Sequence, residues 1–160
     1  MSLLAFAALA FAIGVVAGLR ALTAPMVVSW AAWLKWLAVQ HTWAAFLGSR
    51  ATPFVLTALA IGELITDQLP TTPSRKAPGS FFFRIVTGAF SGAAIGVGAG
   101  QSTLAGLVFG ALGAVAGTLA GSDARTGLVK SLKVPDAAIA VPEDLIAVAG
   151  GFLLVSLVPH

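Results

Sequence analysis

The sequence predicts an all-α fold, a polytopic transmembrane helix bundle that forms a single domain over residues 1–160. Hydrophobic residues make up 58% of the chain and charged residues 9%, against about 45–50% and roughly 25% in soluble domains. Apolar runs near 20 residues long match the length that a helix needs to cross a bilayer. Glycines recur every four residues in these runs, as in closely packed membrane helices. We therefore expect five full spans, one short or interfacial helix, and glycine-zipper packing.

Composition also excludes several classes of function. The chain has no cysteine, which excludes disulfides, thiolate catalysis and iron–sulfur clusters. Its two histidines, His41 and His160, lie far apart in the sequence, so we predict no metal site and no cofactor. The net charge of +3 is typical of basic loops that face anionic lipid, and it does not indicate a nucleic-acid partner.

The first apolar run, Leu3 to Leu22, is interrupted only by Arg20 near its end. It lacks a basic region before it and is too long for a signal peptide, so we expect a span that is retained. Pro25 should break or kink the backbone after it. Residues 26–43 contain all four tryptophans, which favour the membrane interface. This segment is either a short tilted span, which we favour, or an interfacial helix.

The remaining runs predict four more spans. The first covers 53–69, where Pro53 suits a first helical turn, and the turn-rich linker 70–80 ends it. The other predicted elements are spans over 81–100, 103–121 and 141–158, with a short basic amphipathic helix over 122–133.

Basic residues in the loops predict the orientation of the bundle. Five of them fall in the 70–80 linker and the 122–139 segment, namely Arg75, Lys76, Arg125, Lys130 and Lys133. Two spans separate these segments, so both lie on one side, which the positive-inside rule makes cytoplasmic. With six spans both termini are periplasmic, whereas with five the N-terminus is cytoplasmic.

Small residues mark the faces along which the helices should pack. The four-residue series are Gly14–Gly18, Gly88–Gly92–Gly96–Gly100, Gly106–Gly110 and Gly113–Gly117–Gly121. Because apolar burial does not drive association in lipid, close backbone approach at small residues supplies the attraction. We expect a close-packed hairpin of 81–100 against 103–121. A dimer seam or a wall beside a permeation path is the functional alternative.

Glu63 and Asp67 are four residues apart and share one face of their helix. They lie near its C-terminal end, where the helix dipole disfavours negative charge, so a cation, a proton or a base must offset them. At 1.5 Å per residue they lie about 10 Å and about 4–5 Å below the surface, and Arg84 of the next helix lies about 7–8 Å below it. Arg84 should therefore reach either carboxylate.

Three further charges are expected at the same depth. Glu143 and Asp144 open the last predicted helix, where they could simply cap its N-terminus. In the six-span arrangement Arg20 ends the first helix at the same face. The predicted ion- or substrate-binding layer therefore comprises Arg20, Glu63, Asp67, Arg84, Glu143 and Asp144. It is either an ion-pair network, a site for a proton, cation or polar solute, or a lipid-headgroup site. For the last of these, Ser74, Arg75 and Lys76 are the predicted phosphate contacts.

These motifs resemble a family of small bacterial membrane proteins, the domain of unknown function DUF4126. The resemblance rests on GLRA (18–21), ELITDQLP (63–70) with the following PSR, Arg84, and ED (143–144), in that order. It covers about residues 10–155. It implies a polytopic inner-membrane protein and marks the charged layer as a family pattern, without implying an activity.

The sequence thus predicts a multi-pass protein of the cell inner membrane. We expect it to pass a small ion or polar solute through the charged layer, or alternatively to serve as a structural or lipid-binding protein. An enzyme acting on lipid phosphate is disfavoured, because the chain has no nucleophile–base pair or multi-Asp metal motif. The expected partners are membrane lipids, a small ion or solute, and a second copy of the chain through the glycine faces.

Overall fold

The computed structural model describes residues 1–67 and 74–159, which form helices and turns without a β-strand in these ranges. The α-helices of this part are α1 (Leu3–Leu19), α2 (Thr23–Trp33), α3 (Thr52–Thr66), α4 (Pro78–Gly98), α5 (Thr103–Leu132) and α6 (Asp136–Ser156). A short 3-10 helix, Ala45–Gly48, lies between α2 and α3. The predicted all-α class is confirmed.

Three of these helices are long and apolar enough to cross a membrane. They are α4, α5 and α6, with 21, 30 and 21 residues. The apolar helices α1 and α3 are shorter, with 17 and 15 residues, and α2 has 11. At 1.5 Å per residue α2 is only about 16–17 Å long, and a regular helical span takes about 20 residues.

The second half of the chain corrects two predicted boundaries. The predicted amphipathic helix over 122–133 is part of α5, which runs without interruption through Gly121 to Leu132. A glycine in a helix costs about 1 kcal/mol but does not by itself end it. The last helix begins at Asp136, so Pro142 lies inside α6 and not at its start. Lys133 adopts a left-handed conformation that ends α5, and the acidic Asp136 suits the first turn of α6.

The predicted bounds of the helix over 26–43 are also wrong. The first helix ends at Leu19, and α2 then starts at Thr23, ahead of Pro25. Proline is compatible with a first turn because its missing N–H has no partner there in any case, so the chain breaks just before the proline. Beyond Trp33 the backbone forms turns, with positive φ at Lys35 and His41.

Contacts along the helices show that they alternate in direction. Gly14 lies beside Gly110 and Gly18 beside Ala114, so α1 and α5 run the same way, while the approach of Gly92 to Gly106 makes α4 antiparallel to α5. Leu22 contacts Glu63 and Trp30 contacts Thr57, so α2 and α3 are antiparallel. Arg20 contacts Asp144 and Val27 contacts Gly151, so α2 and α6 run the same way. Leu19 contacts Arg84 and Leu37 contacts Gly98, so the chain from the break onward also runs with α4. Helices α1, α3 and α5 therefore run one way, and α2, α4 and α6 the other.

Helices α1, α4 and α5 meet at glycines. A Cβ atom added at Gly14, Gly92, Gly106 or Gly110 would lie within 3.0 Å of a backbone atom of a neighbouring helix. At Gly113 it would meet the carbonyl of Phe11 in the same way. No side chain separates the backbones at these points. Only glycine permits this spacing.

Bulkier side chains fill the contacts of α2 and α3. Trp30, Trp33 and Phe54 form edge-to-face pairs with ring centroids 5.3–6.1 Å apart. On the turns that follow α2, Trp43 packs against Phe90 of α4. We call this the aromatic end of the bundle. The opposite end, which we call the basic end, carries Arg75, Lys76, Arg125, Lys130 and Lys133.

Candidate functional site

The site lies at the break between α1 and α2, where Arg20 is fully buried. Arg20 follows the last residue of α1 in an extended conformation, which turns its side chain out of the helical path. Its Nε donates to Oδ1 of Asp144 at 2.5 Å, and its Nη1 donates to Oδ2 of Asp67. One arginine thereby joins the end of α3 to α6.

Glu63 accepts hydrogen bonds from the backbone N–H groups on the α2 side of the break. Its two carboxylate oxygens accept hydrogen bonds from the backbone N–H groups of Ala21 and Leu22, each at 2.7 Å. The first N–H groups of a helix have no partner within it. Leu22 is the N-cap residue of α2 and Ala21 precedes it, so neither N–H group has a partner within α2, and Glu63 of α3 supplies the acceptors for both.

Arg84 donates hydrogen bonds to the backbone carbonyl groups on the α1 side of the break. Its Nη1 donates to the carbonyl oxygens of Gly18 at 3.1 Å and Leu19 at 2.8 Å, which end α1. Its Nη2 lies 3.6 Å from Oε1 of Glu63 and 3.5 Å from Oδ2 of Asp67. Arg84 therefore lies within reach of either carboxylate, as the helix depths predicted.

Five of the six residues predicted for the layer therefore meet, and we call them the charged cluster: Arg20, Glu63, Asp67, Arg84 and Asp144. Two guanidinium groups face three carboxylates, which leaves one formal negative charge. Side-chain exposure in the cluster lies between 0% and 15%. Burying charges in this way is costly unless they are paired.

The sixth residue, Glu143, belongs to a neighbouring network. Arg75 binds it with two hydrogen bonds, Nη1 to Oε1 at 2.5 Å and Nη2 to Oε2 at 2.7 Å. Arg125 reaches the same carboxylate at 3.3 Å and binds Asp136 through Nε at 2.8 Å. A simple capping role for Glu143 and Asp144 is wrong, because α6 begins at Asp136.

Two members of this network, Arg125 and Asp136, were not predicted from the sequence as site residues. The signal that could have found them is their position on either side of the α5–α6 turn, with opposite charges eleven residues apart. Treating 122–133 as a separate surface helix assigned Arg125 to solvent, and placing the start of the last span at 141 left Asp136 in a loop.

The three predicted phosphate contacts lie at the basic end. The exposed Ser74 accepts a hydrogen bond from the backbone N–H of Lys76 at 3.2 Å. Lys76 pairs with Asp123 at 2.5 Å, with side-chain exposures of 44% and 71%. The guanidinium of Arg75 is held by Glu143 and is 10% exposed. Of the three, Ser74 and Lys76 are the exposed ones.

A cleft of about 420 Å³ reaches the charged cluster from the side. It lies between α3 and α4, which are consecutive in the chain but hardly touch each other. Glu63, Asp67 and Arg84 form its polar wall, and Leu22, Leu59 and Phe83 contribute apolar surface. The carboxylates are therefore accessible from outside the bundle.

Three buried polar atoms lack a hydrogen-bond partner within the described ranges: Arg20 Nη2, Thr23 Oγ1 and Arg84 Nε. All three lie at or next to the break. Unsatisfied buried donors are rare in folded proteins and require an explanation, such as a bound acceptor. Residues 1–67 and 74–159 contain no group of three or more side chains placed to hold a metal ion.

No family model matches this chain, and neither the curated proteins nor the solved structures give a significant match. The resemblance to the DUF4126 family stays a prediction from the motifs.

Proposed function

We propose that the chain is a multi-pass protein of the bacterial inner membrane, of the DUF4126 type, that passes a small ion or polar solute through the charged cluster. The three long apolar helices support a location in a membrane. With the basic end in the cytoplasm, as the positive-inside rule requires, the alternating helix directions put the start of α1 on the periplasmic side. Glycine-zipper contacts among α1, α4 and α5 would hold this bundle together.

The observation that carries the proposal is the cleft between α3 and α4 that reaches Glu63 and Asp67. Charged residues within membrane helices are rare and tend to mark ion or substrate pathways. Here the cluster has one carboxylate in excess over its guanidinium groups, which favours a cation or a proton as the occupant. A cleft that leads to these carboxylates gives such an occupant a way in.

The break between α1 and α2 supports the same proposal. Discontinuous helices form the binding sites of many secondary transporters, because their open ends present main-chain groups to the solute. In this chain the main-chain groups at the break are bound by Glu63 and Arg84. A solute that displaced either side chain would gain access to them.

The test is flux into proteoliposomes that contain the purified full chain. Uptake of protons, Na⁺ and K⁺ is followed with trapped fluorescent indicators, for the wild type and for Asp67→Asn. We expect the variant to lose most of the flux. Asp123→Asn, which removes an exposed acid outside the cluster, is the matched control. Equal flux in wild type and Asp67→Asn would overturn the proposal.

A second candidate is a structural or lipid-binding role without transport. It is favoured by the observation that Glu63 and Arg84 each bind backbone groups at the break, as structural capping residues would. In this case Ser74 and Lys76 would contact lipid phosphate at the basic end. Absence of flux together with strong destabilisation by Glu63→Gln would favour this candidate.

A homo-oligomer through glycine faces was also expected. The glycines of α1, α4 and α5 described above lie against one another within a single chain. Gly127 and Gly150 are different, since a Cβ atom there would meet nothing within 4 Å. If the protein self-associates through glycines, we propose that these two positions take part. Loss of a dimer band on chemical cross-linking of Gly150→Leu would support this.

A further inference from the structure

The cleft between α3 and α4 is larger than a bare ion requires. Its volume is about 420 Å³, whereas a water molecule occupies about 30 Å³ in the liquid. Gly62 lies on its wall, and no atom lies within 4 Å of the position that a Cβ would take. The space could therefore hold an organic solute with several non-hydrogen atoms.

The walls of the cleft differ in chemistry. On one wall the carboxylates of Glu63 and Asp67 are 10% and 15% exposed. Each oxygen of Glu63 already accepts one backbone N–H, but a carboxylate offers about four acceptor positions in all. The other walls carry Leu22, Leu59 and the ring of Phe83. Carboxylates beside an aromatic ring match an ammonium ion with an apolar substituent.

A second observation concerns Arg84, whose side chain is 3% exposed and forms part of the cleft wall. Its Nε–H has no acceptor in the described part of the chain, while both of its terminal nitrogens are engaged. Neighbouring atoms cover Nε from a water-sized molecule in the cleft, so a ligand oxygen reaches it only if these atoms shift on binding. An unpaired buried donor requires an explanation, and an acceptor brought by a ligand is one. A hydroxyl oxygen next to the ammonium group would supply it without adding negative charge.

We propose that the cleft binds a small hydroxyl-bearing ammonium ion, with its positive charge at Glu63 and Asp67 and its oxygen at Nε of Arg84. The inference rests on the proposed function, because it names the solute of the same site. One positive charge on the ligand also cancels the one excess negative charge of the cluster. The same chemistry occurs in a free alkanolamine and in the headgroup of a phospholipid.

Equilibrium binding of radiolabelled choline to the purified full chain in a maltoside detergent tests the proposal. Competition by 3,3-dimethylbutan-1-ol, the uncharged carbon analogue, and by tetramethylammonium, which lacks the hydroxyl, separates the two recognised features. We expect each analogue to compete at least about tenfold more weakly than choline, as the loss of a charge or a hydrogen bond predicts. If the uncharged alcohol competes as well as choline, the carboxylates are not recognising charge and the proposal is wrong.

Gly62→Leu places a side chain in the cleft without changing a charge, and Ala120→Leu enlarges an exposed side chain on α5, away from the cleft. Choline binding should be lost in the first and unchanged in the second. Binding that survives in a folded Gly62→Leu protein would overturn the proposal. The analogue competition on the wild type needs no variant and remains decisive if Gly62→Leu does not fold.

Two further results are informative. Stronger competition by lysophosphatidylcholine than by free choline would support the proposal with a lipid as the source of the ligand, whereas weaker competition would support it with a free solute. Because the assay measures binding and not transport, choline binding without uptake of choline, protons, Na⁺ or K⁺ into proteoliposomes would refute transport alone. Flux of small cations that depends on Asp67, without any choline binding, would refute this inference alone.

Discussion

The two halves of the bundle are packed in different ways. Helices α1, α4 and α5 meet backbone to backbone at glycines such as Gly92 and Gly110. Helices α2 and α3 meet through larger side chains, as at Trp30 and Phe54, and α6 meets α2 where the side chain of Val27 packs onto Gly151. The cleft and the two other described cavities, each of about 270 Å³, all have a wall on α3 or α6.

This difference indicates which part of the molecule can move. Backbones in direct contact have no side chains that can adopt new rotamers, so a change there must displace a whole helix. Side chains around a cavity can rearrange at lower cost. The charged cluster lies on the boundary, with Arg20 and Arg84 on the glycine-packed half and Glu63, Asp67 and Asp144 on the other half. Movement of α3 or α6 would therefore change the ion pairs directly.

The largest effect is expected from bulk added to the glycine-packed half. Gly110→Val would place side-chain atoms onto the backbone of Gly88 and separate α4 from α5. We expect loss of the folded monomer, measured by size-exclusion chromatography and by thermal unfolding in detergent. Gly62→Ala on α3 is the control, because a Cβ there meets nothing. A folded Gly110→Val protein of normal stability would show that the glycine-packed half tolerates added side chains, and the contrast between the two halves would be wrong.

The next effect is expected from the residue that joins the halves. Arg20→Met leaves Asp144 without its buried partner and leaves Asp67 with only the longer contact to Arg84 at 3.5 Å. Breaking a buried ion pair in this way costs about 3–5 kcal/mol. The measurement is the free energy of unfolding from titration with a denaturing detergent. Adding Asp144→Asn to Arg20→Met should recover part of the loss, and a double variant less stable than Arg20→Met would contradict direct pairing.

The sequence predicted the depth of the charged residues in the bundle better than it predicted their partners. Glu63, Asp67 and Arg84 could be placed together because helix geometry converts sequence distance into depth, and they do meet. Glu143 was assigned to the same layer, but Arg75 draws it into a separate network. Depth alone does not specify which way a side chain points around the helix axis, and so it could not separate Glu143 from its neighbour Asp144.

Helix boundaries were predicted less well where prolines and glycines were the signal. Pro25 and Pro142 were both interpreted as breaks or starts, yet each lies within a helix. The chain instead breaks at residues 20–22, where Glu63 and Arg84 satisfy the freed backbone groups. Those partners come from other helices, so no local sequence pattern could have located the break.

A smaller loss of stability is expected from variants of the two residues that bind the backbone at the break. Glu63→Gln keeps one acceptor oxygen for two backbone N–H groups, so one buried donor is left unpaired, at a cost of about 1–3 kcal/mol. Arg84→Gln should cost a similar amount, because the carbonyls of Gly18 and Leu19 lose their donor. Unfolding free energies of the single and double variants form a double-mutant cycle.

The result of that cycle distinguishes two roles for the pair. Nη2 of Arg84 lies 3.6 Å from Glu63, while the hydrogen bonds of both side chains go to the backbone. We therefore expect the two losses to be close to additive, with a coupling below about 1 kcal/mol. A larger coupling would show that the two side chains stabilise each other directly, and that the break is held by their ion pair.

The smallest effect is expected at the basic end, outside both halves of the packed bundle. Asp123→Asn removes the partner of Lys76 in a pair whose side chains are largely exposed to their surroundings. Exposed ion pairs contribute about 0–1 kcal/mol, because water and salt screen them and two long side chains must be ordered. Thermal unfolding in detergent should therefore be unchanged within error at moderate salt. A loss as large as that of Arg20→Met would mean that this exposed pair holds the start of α4 to α5 as strongly as the buried ion pairs hold the two halves together.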